Sequence, residues 1–255
     1  AGPKKSLGQH WLKDRDVLAH IADEAHITPE DTVLEIGPGL GTLTSELLRR
    51  AKNVVAVELD EDLARKLPGQ FPGKPLEVVN QDILTFDLRA LPENYVVVAN
   101  VPYYITSKII QLLTTATNKP RAIVLLIQKE VAERLAAEPG DMSILAVSAQ
   151  IFAKVRLGDV VPAALFTPPP KVDSQVVILE MREEPLVEAD LEKQFFRIVK
   201  AGFVAKRKKL RSSLSSGLHI SKQDAEVLLQ KHGISPDNRA EDLTIQDWLA
   251  LARDV

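Results

Sequence analysis

Short apolar runs recur through the first half of the chain, each closed by turn formers or by a polar residue. Val33–Ile36, Val54–Val57, Leu76–Val79, Tyr95–Ala99 and Ala122–Ile127 have the length and β-prone content of buried strands. Between them the spacing predicts helices over 16–25, with Val17, Leu18, Ile21 and Ala25 on one face, and over about 42–50. Strands that alternate with helices build a parallel sheet with right-handed crossovers. The pattern then changes. Residues 151–157 and 175–181 alternate or run apolar, as an antiparallel pair does. Glu183-Glu184-Pro185 reads as a linker, and beyond it Leu191, Phe195, Ile198, Val199 and Phe203 keep helical spacing. Ser221 caps a helix that ends at His232-Gly233, and Thr244 caps the last one. The expected fold is α/β with a small all-helical appendage, divided into 1–184 and 185–255.

The chemistry gathers at the ends of the strands. Gly37-Pro38-Gly39-Leu40-Gly41 follows the first strand and opens a helix, as nucleotide-cofactor loops do. Its glycines let backbone approach a ligand where a Cβ would clash. Glu58 ends the second strand, where an acid can accept the hydroxyls of a ribose; a plain solvated carboxylate is the other reading. Asp82 and Ile83 follow the third strand, suited to an adenine amine and ring, or to a simple cap. Asn100-Val101-Pro102-Tyr103 follows the fourth. A carboxamide, a backbone carbonyl freed by proline's geometry and an aromatic ring in one loop could grip a flat, amine-bearing ring. Ligands of open α/β sheets bind at this edge, so these strand ends read as one site.

Composition adds exclusions. The 255 residues are 45% hydrophobic and 26% charged, with a net charge of -3. There is no cysteine, so disulfides and thiol chemistry are out. No apolar run approaches the roughly 20 residues of a membrane span, and the first residues lack a signal-peptide core; a cytoplasmic protein is expected. Charge is uneven locally. Lys200, Lys206, Arg207, Lys208, Lys209 and Arg211 cluster in a window with no acid between Glu192 and Asp224. Such a window suits phosphate-backbone contact, against the usual reading of a solvated helix face. At the other end, Trp11 and Leu12 are apolar in a polar, basic arm that begins at Lys4. They anchor the arm or fold it over a ligand. Phe166, just before Pro168-Pro169-Pro170, is either a core residue or a ring presented to a ligand.

Together these residues resemble the KsgA-type small-subunit ribosomal RNA adenine dimethyltransferase family. Gln9-His10-Trp11-Leu12 is similar to its Q-N-F-L, with His10 and Trp11 as departures. Glu35-Ile36-Gly37-Pro38-Gly39-Leu40-Gly41-Thr42-Leu43-Thr44 is similar to its E-I-G-P-G-x-G-x-L-T. Asn100 to Ile105 resembles N-L-P-Y-x-I, Phe166 to Ser174 resembles F-x-P-P-P-K-V-D-S, and Arg239-Ala240-Glu241 matches the late R-A-E. The resemblance implies a class I methyltransferase, with a Rossmann-like, mostly parallel seven-stranded sheet and a helical C-terminal domain. It implies S-adenosylmethionine as methyl donor, no metal, and contacts to the cofactor at His10, Leu12, Gly37, Gly39, Glu58, Leu59, Asp82, Ile83 and Asn100.

The implied reaction places two methyl groups on N6 of each of two adjacent adenosines near the 3′ end of small-subunit rRNA, in a pre-30S-like particle. The enzyme is expected to act as a monomer away from membranes. The Asn100 side-chain oxygen and the Pro102 carbonyl would hold the amine, with Tyr103 and Phe166 stacking on the base; the basic tail would hold RNA. Rivals are the related large-subunit rRNA methyltransferases of macrolide resistance, a pure assembly or transcription factor, and a dinucleotide oxidoreductase. The P-P-P-K-V-D-S segment and R-A-E tail favour the small-subunit enzyme. The site residues oppose a purely binding role, and the G-x-G-x-G spacing opposes the oxidoreductase.

Overall fold

A computed structural model describes residues 9–255. The basic opening at Lys4 and Lys5 lies outside the described residues. The chain divides into two compact units, 1–133 with 153–181, and 134–152 with 182–255. The last crossing lies between Met181 and Arg182, just before Glu183-Glu184-Pro185. Residues 134–152, however, belong with the second unit although two strands of the sheet follow them, which one linear boundary at 184 misses.

The first unit begins with β1 (Trp11–Leu12) and α1 (Arg15–Glu24), whose N-cap Asp14 accepts from the Val17 amide. Then come β2 (Thr32–Ile36), α2 (Thr42–Leu48), β3 (Asn53–Glu58), α3 (Glu61–Lys66), β4 (Leu76–Asn80) and β5 (Val96–Asn100). α4 (Thr106–Thr115), β6 (Ala122–Gln128) and α5 (Lys129–Leu135) follow, the last running across the crossing at 133. After α6 (Ile144–Gln150), β7 (Ala153–Val161), β8 (Phe166–Thr167) and β9 (Ser174–Met181) complete the strands.

Seven strands form one sheet in the order β4-β3-β2-β5-β6-β9-β7. β4, β3, β2, β5 and β6 are mutually parallel, while β9 runs antiparallel to β6 and β7 antiparallel to β9. The cause is composition: β2, β5 and β6 are buried nearly throughout, as parallel strands covered on both faces must be. Ile36 pairs with both Val57 and Ala99, and Glu58 pairs with Asn80. Parallel direction and this register bring the loop after β2, Glu58, Asp82 and Asn100 to one edge. The core on one face gathers Leu18, Ile21, Leu43, Leu47, Val96 and Val124. β1 and β8 form a separate two-stranded clip, with Trp11 opposite Thr167 and Leu12 opposite Phe166.

The second unit is helical: α6, then α7 (Glu192–Val204), α8 (Leu210–Leu218), α9 (Lys222–Lys231) and α10 (Ile245–Arg253). Trp248 is fully buried and its ring centroid lies 5.6 Å from that of Phe203. Thr244 and Ser221 cap their helices as expected.

Candidate active site

The donor side is built on the turn from β2 to α2. Gly37, Gly39 and Gly41 have φ of 67°, 56° and 85°, conformations that cost other L-residues free energy. The turn is tied across to β3 twice. The Gly37 amide donates to the Val57 carbonyl at 2.9 Å, and the Gly39 amide to Glu58 Oε1 at 3.0 Å. Glu58 Oε2 accepts from the Asp60 amide at 3.0 Å. Glu58 is 6% exposed, so two backbone donors fix its carboxylate. Each oxygen keeps one more acceptor site, which leaves room for a pair of ribose hydroxyls.

The arm closes over this turn. A Cβ at Gly39 would collide with the Trp11 ring, so only glycine admits the indole there. Thr42 Oγ1 donates to the Leu12 carbonyl at 2.9 Å, and His10 Nδ1 donates to the Pro168 carbonyl at 2.6 Å. The Leu12 side chain and Phe166, 4% exposed, both belong to the core. What Leu12 can offer a ligand is therefore backbone. Phe166 holds the clip from within; its ring is not turned out as a stacking surface. The ring of His10 likewise serves the arm.

At the end of β4, Asp82 Oδ1 caps a short turn by accepting from the Leu84 amide at 3.0 Å. Its side-chain oxygens accept no other hydrogen bond among the described residues. Ile83 is buried beside it and Leu59 is 58% exposed. Asn80 Nδ2 donates to the carbonyls of Glu58 and Leu59 at 2.9 and 3.1 Å, bracing the two strand ends. A turn of left-handed glycines, a fixed carboxylate and a second acid beside an apolar side chain fit a nucleoside cofactor.

Beneath the turn, Glu35 is 1% exposed and takes the Thr44 hydroxyl on Oε1. Burial pushes its carboxyl up to about 8; the Thr44 bond pulls the other way and the charge of Glu58 adds to the rise. Burial thus favours the protonated, uncharged form of Glu35 beneath the loop.

The acceptor side is the loop after β5. Asn100 is half-buried at the strand end. The Pro102 carbonyl is not free, as a proline turn suggests. It accepts from the Ile105 amide at 3.3 Å and from Thr106 Oγ1 at 3.2 Å. Both bonds are long for their type. The ring of Tyr103 lies outside what is described, which at this position is backbone alone. Tyr104 is largely exposed, not core.

In the second unit the basic window separates into two parts. Arg211 pairs with Glu226 at 2.8 Å and with Asp237, and Lys209 pairs with Asp237 at 3.2 Å. These two cations are partly neutralised by acids far along the sequence. Lys200, Lys206, Arg207 and Lys208 are exposed, the last three in the turn between α7 and α8 beside Val204. Thr42, Thr44 and Thr106 carry site contacts that strand-end reasoning passed over. Thr42 and Thr106 open helices and Thr44 lies in the first turn of one, at loops already singled out, which is the signal that would have found them.

A family model described as ribosomal RNA adenine dimethylase matches residues 2–254. A protein of Dehalococcoides mccartyi called ribosomal RNA small subunit methyltransferase A is 42% identical over 252 residues, covering 97% of this chain and 87% of that one. Its namesake in Geobacillus kaustophilus is 40% identical, over 98% of this chain and 89% of that one. Among solved structures, a dimethyladenosine transferase from Plasmodium falciparum has a TM-score of 0.81 at 28% identity, covering 95% and 96% of the two chains. The 23S rRNA methyltransferase ErmE has a TM-score of 0.79 at 32% identity, covering 95% and 98%.

Proposed function

The chain belongs to the ribosomal RNA adenine dimethylase family, and on that premise we propose that it dimethylates N6 of two adjacent adenosines near the 3′ end of small-subunit rRNA. The observation that carries this reading is the convergence, at one sheet edge, of the glycine turn clamped by Glu58 and the Asn100–Thr106 loop. S-adenosylmethionine, when bound, supplies a methyl group already electrophilic on its sulfonium. Gly37, Gly39, Glu58, Leu59, Asp82 and Ile83 would hold it, with the arm at His10–Leu12 as a backbone wall.

The chain's own task is to prepare a poor nucleophile. The adenine N6 lone pair is delocalised into the ring. Hydrogen bonds from the amine to Asn100 Oδ1 and the Pro102 carbonyl favour a pyramidal nitrogen and direct its lone pair. Positioning and electrostatic stabilisation then supply most of the rate. The carbonyl oxygen has two lone pairs, so the amine displaces or shares the long Thr106 bond. The target base must leave its stack at roughly a few kcal/mol. Stacking on an aromatic ring, assigned to Tyr103, returns about 1–3 kcal/mol. The nitrogen loses its proton after the bond has formed, so no strong base is required. After the first methylation one N–H remains, and one acceptor suffices to orient it.

The P-P-P-K-V-D-S segment and the 39–42% identity to small-subunit enzymes support small-subunit rRNA in an assembling particle as the substrate. The 32% identity to ErmE keeps large-subunit rRNA as the second reading. The exposed cations of the α7–α8 turn would hold RNA backbone. We assign catalysis to the first unit, RNA holding to the second, and a monomer as the working form. Incubating the protein with labelled S-adenosylmethionine and unmodified small or large subunits, then mapping modified nucleotides, tests this. Label on two adjacent small-subunit adenosines is expected; label confined to large subunits overturns it.

A further inference from the structure

A groove of about 270 Å³ in the first unit is lined in part by Leu40, Gly41 and Thr42, at the end of the glycine turn. Lys13 and Arg15 flank it at the start of α1, Arg49 just past the end of α2, and Gln70 and Phe71 after α3. Gly41 brings the last pair close. A Cβ there would lie 2.7 Å from Leu67 Cδ1 and 3.1 Å from Phe71 Cε2, so the half-buried ring packs against the back of the turn. The charge balance is positive. Lys13 and Arg15 are exposed and have no acidic partner among the described residues. Asp14 caps α1, at 3.1 Å from the Val17 amide, and its charge and that of Asp16 offset part of this excess without pairing with either cation. Arg49 leans on Glu46 at 3.6 Å, but Glu46 is held more closely by Arg50 at 2.9 Å.

We propose that this groove binds the sugar–phosphate backbone of the substrate RNA beside the target adenosines, with Lys13, Arg15 and Arg49 on phosphates and Phe71 against a ribose or base. This rests on RNA being the substrate. Backbone is favoured over an enclosed small ligand for two reasons. The groove is smaller than the roughly 300–1,000 Å³ of common small-molecule pockets. Its long cations, one ammonium and two guanidinium forks, suit phosphate oxygens, and such contacts hold backbone without reading sequence.

The test uses the full chain carrying Lys13→Glu and Arg15→Glu together, with Lys13→Arg and Arg15→Lys as the charge-keeping control. Binding of an RNA fragment from the small-subunit 3′ end is followed through a salt series, and KM is measured on unmodified small subunits. At about 0.1 M salt the reversed variant should bind at least about tenfold more weakly, with a salt slope shallower by about 0.7–0.9 for each phosphate it no longer neutralises. KM should rise with it, and the control should behave as wild type. Affinity for free S-adenosylmethionine and the melting temperature are read on the same samples. An unchanged salt slope in a folded variant overturns the groove, as does a loss of S-adenosylmethionine affinity equal to the loss for RNA. If wild type itself fails to methylate small subunits, the proposed function falls. If wild type methylates and only the variant's KM stays put, the groove alone falls.

Discussion

The two halves of the site are held very differently. On the donor side, Glu58 receives two amides at 3.0 Å, the Gly39 turn is filled by Trp11, and the arm is pinned at both the Leu12 and the His10 end. On the acceptor side, the Pro102 carbonyl is satisfied by bonds of 3.2 and 3.3 Å from its own loop. Both halves grow from ends of adjacent parallel strands. The donor half is preorganised for a ligand of one fixed shape. The acceptor half is closed on itself in a way an incoming amine can undo. That difference suits a cofactor that is always the same and a substrate nitrogen that changes from primary to secondary amine between turnovers.

The largest expected effect separates the halves outright. Asn100→Ala should cut methylation by at least about 10²–10³-fold, the loss seen when one positioned polar group is removed from an active site, while S-adenosylmethionine binding is partly retained. Turnover equal to wild type would remove Asn100 from the mechanism. Gly39→Ala attacks the other half. Its φ of 56° and the Trp11 ring leave no room for a methyl. S-adenosylmethionine affinity, measured calorimetrically, should fall about tenfold or more, since αL strain alone costs about 1–2 kcal/mol. Near-normal affinity would show the donor half to be as pliable as the acceptor half.

Glu35→Gln tests how the donor half tolerates charge. The Glu35 carboxyl is raised from 4.5 to about 8 in the folded chain. Its contribution to stability is present below about pH 4.5 and is lost as pH rises to and through about 8, at up to about 1.4 kcal/mol per pH unit. The amide keeps the Thr44 bond and cannot ionise, so melting temperatures across that window should vary less for the variant than for wild type. Equal slopes would mean that Glu35 is ionised in place. The smallest effect is expected from Thr106→Val. Removing a competing donor worth about 0.5–1 kcal/mol, the lower part of the usual range because the bond is long, should raise kcat/KM for RNA about two- to fivefold. A fall instead would make Thr106 a positioning residue and the acceptor half as preformed as the donor half.

Much of this was legible in the sequence because parallel strands buried on both faces leave unbroken apolar runs, and whatever follows such a run lands on one edge. Glu58, Asp82 and Asn100 come together for that reason. The clip was not legible: two-residue strands have no period, and the partners of Trp11 and Leu12 lie at the far end of the unit. Nor could Phe166 be resolved, since a ring beside three prolines suits a core and a ligand equally. Lys209 and Arg211 read as free cations because Asp237 and Glu226 come after the window closes. The expected free Pro102 carbonyl failed because Thr106 sits one turn on, where a hydroxyl folds back on the carbonyl four residues before it.

The clip also sets an order of events. His10 and Pro168 are 158 residues apart, a span whose closure costs about 4–5 kcal/mol of chain entropy. During synthesis the strands that carry Glu58 and Asn100 emerge first; the arm can lean on the glycine turn through Thr42 and Trp11, but it has no strand to pair with until residues 166–168 follow. The wall over the glycine turn is therefore among the last pieces of the first unit to lock. A nascent chain shows an open cradle until its sheet is nearly whole.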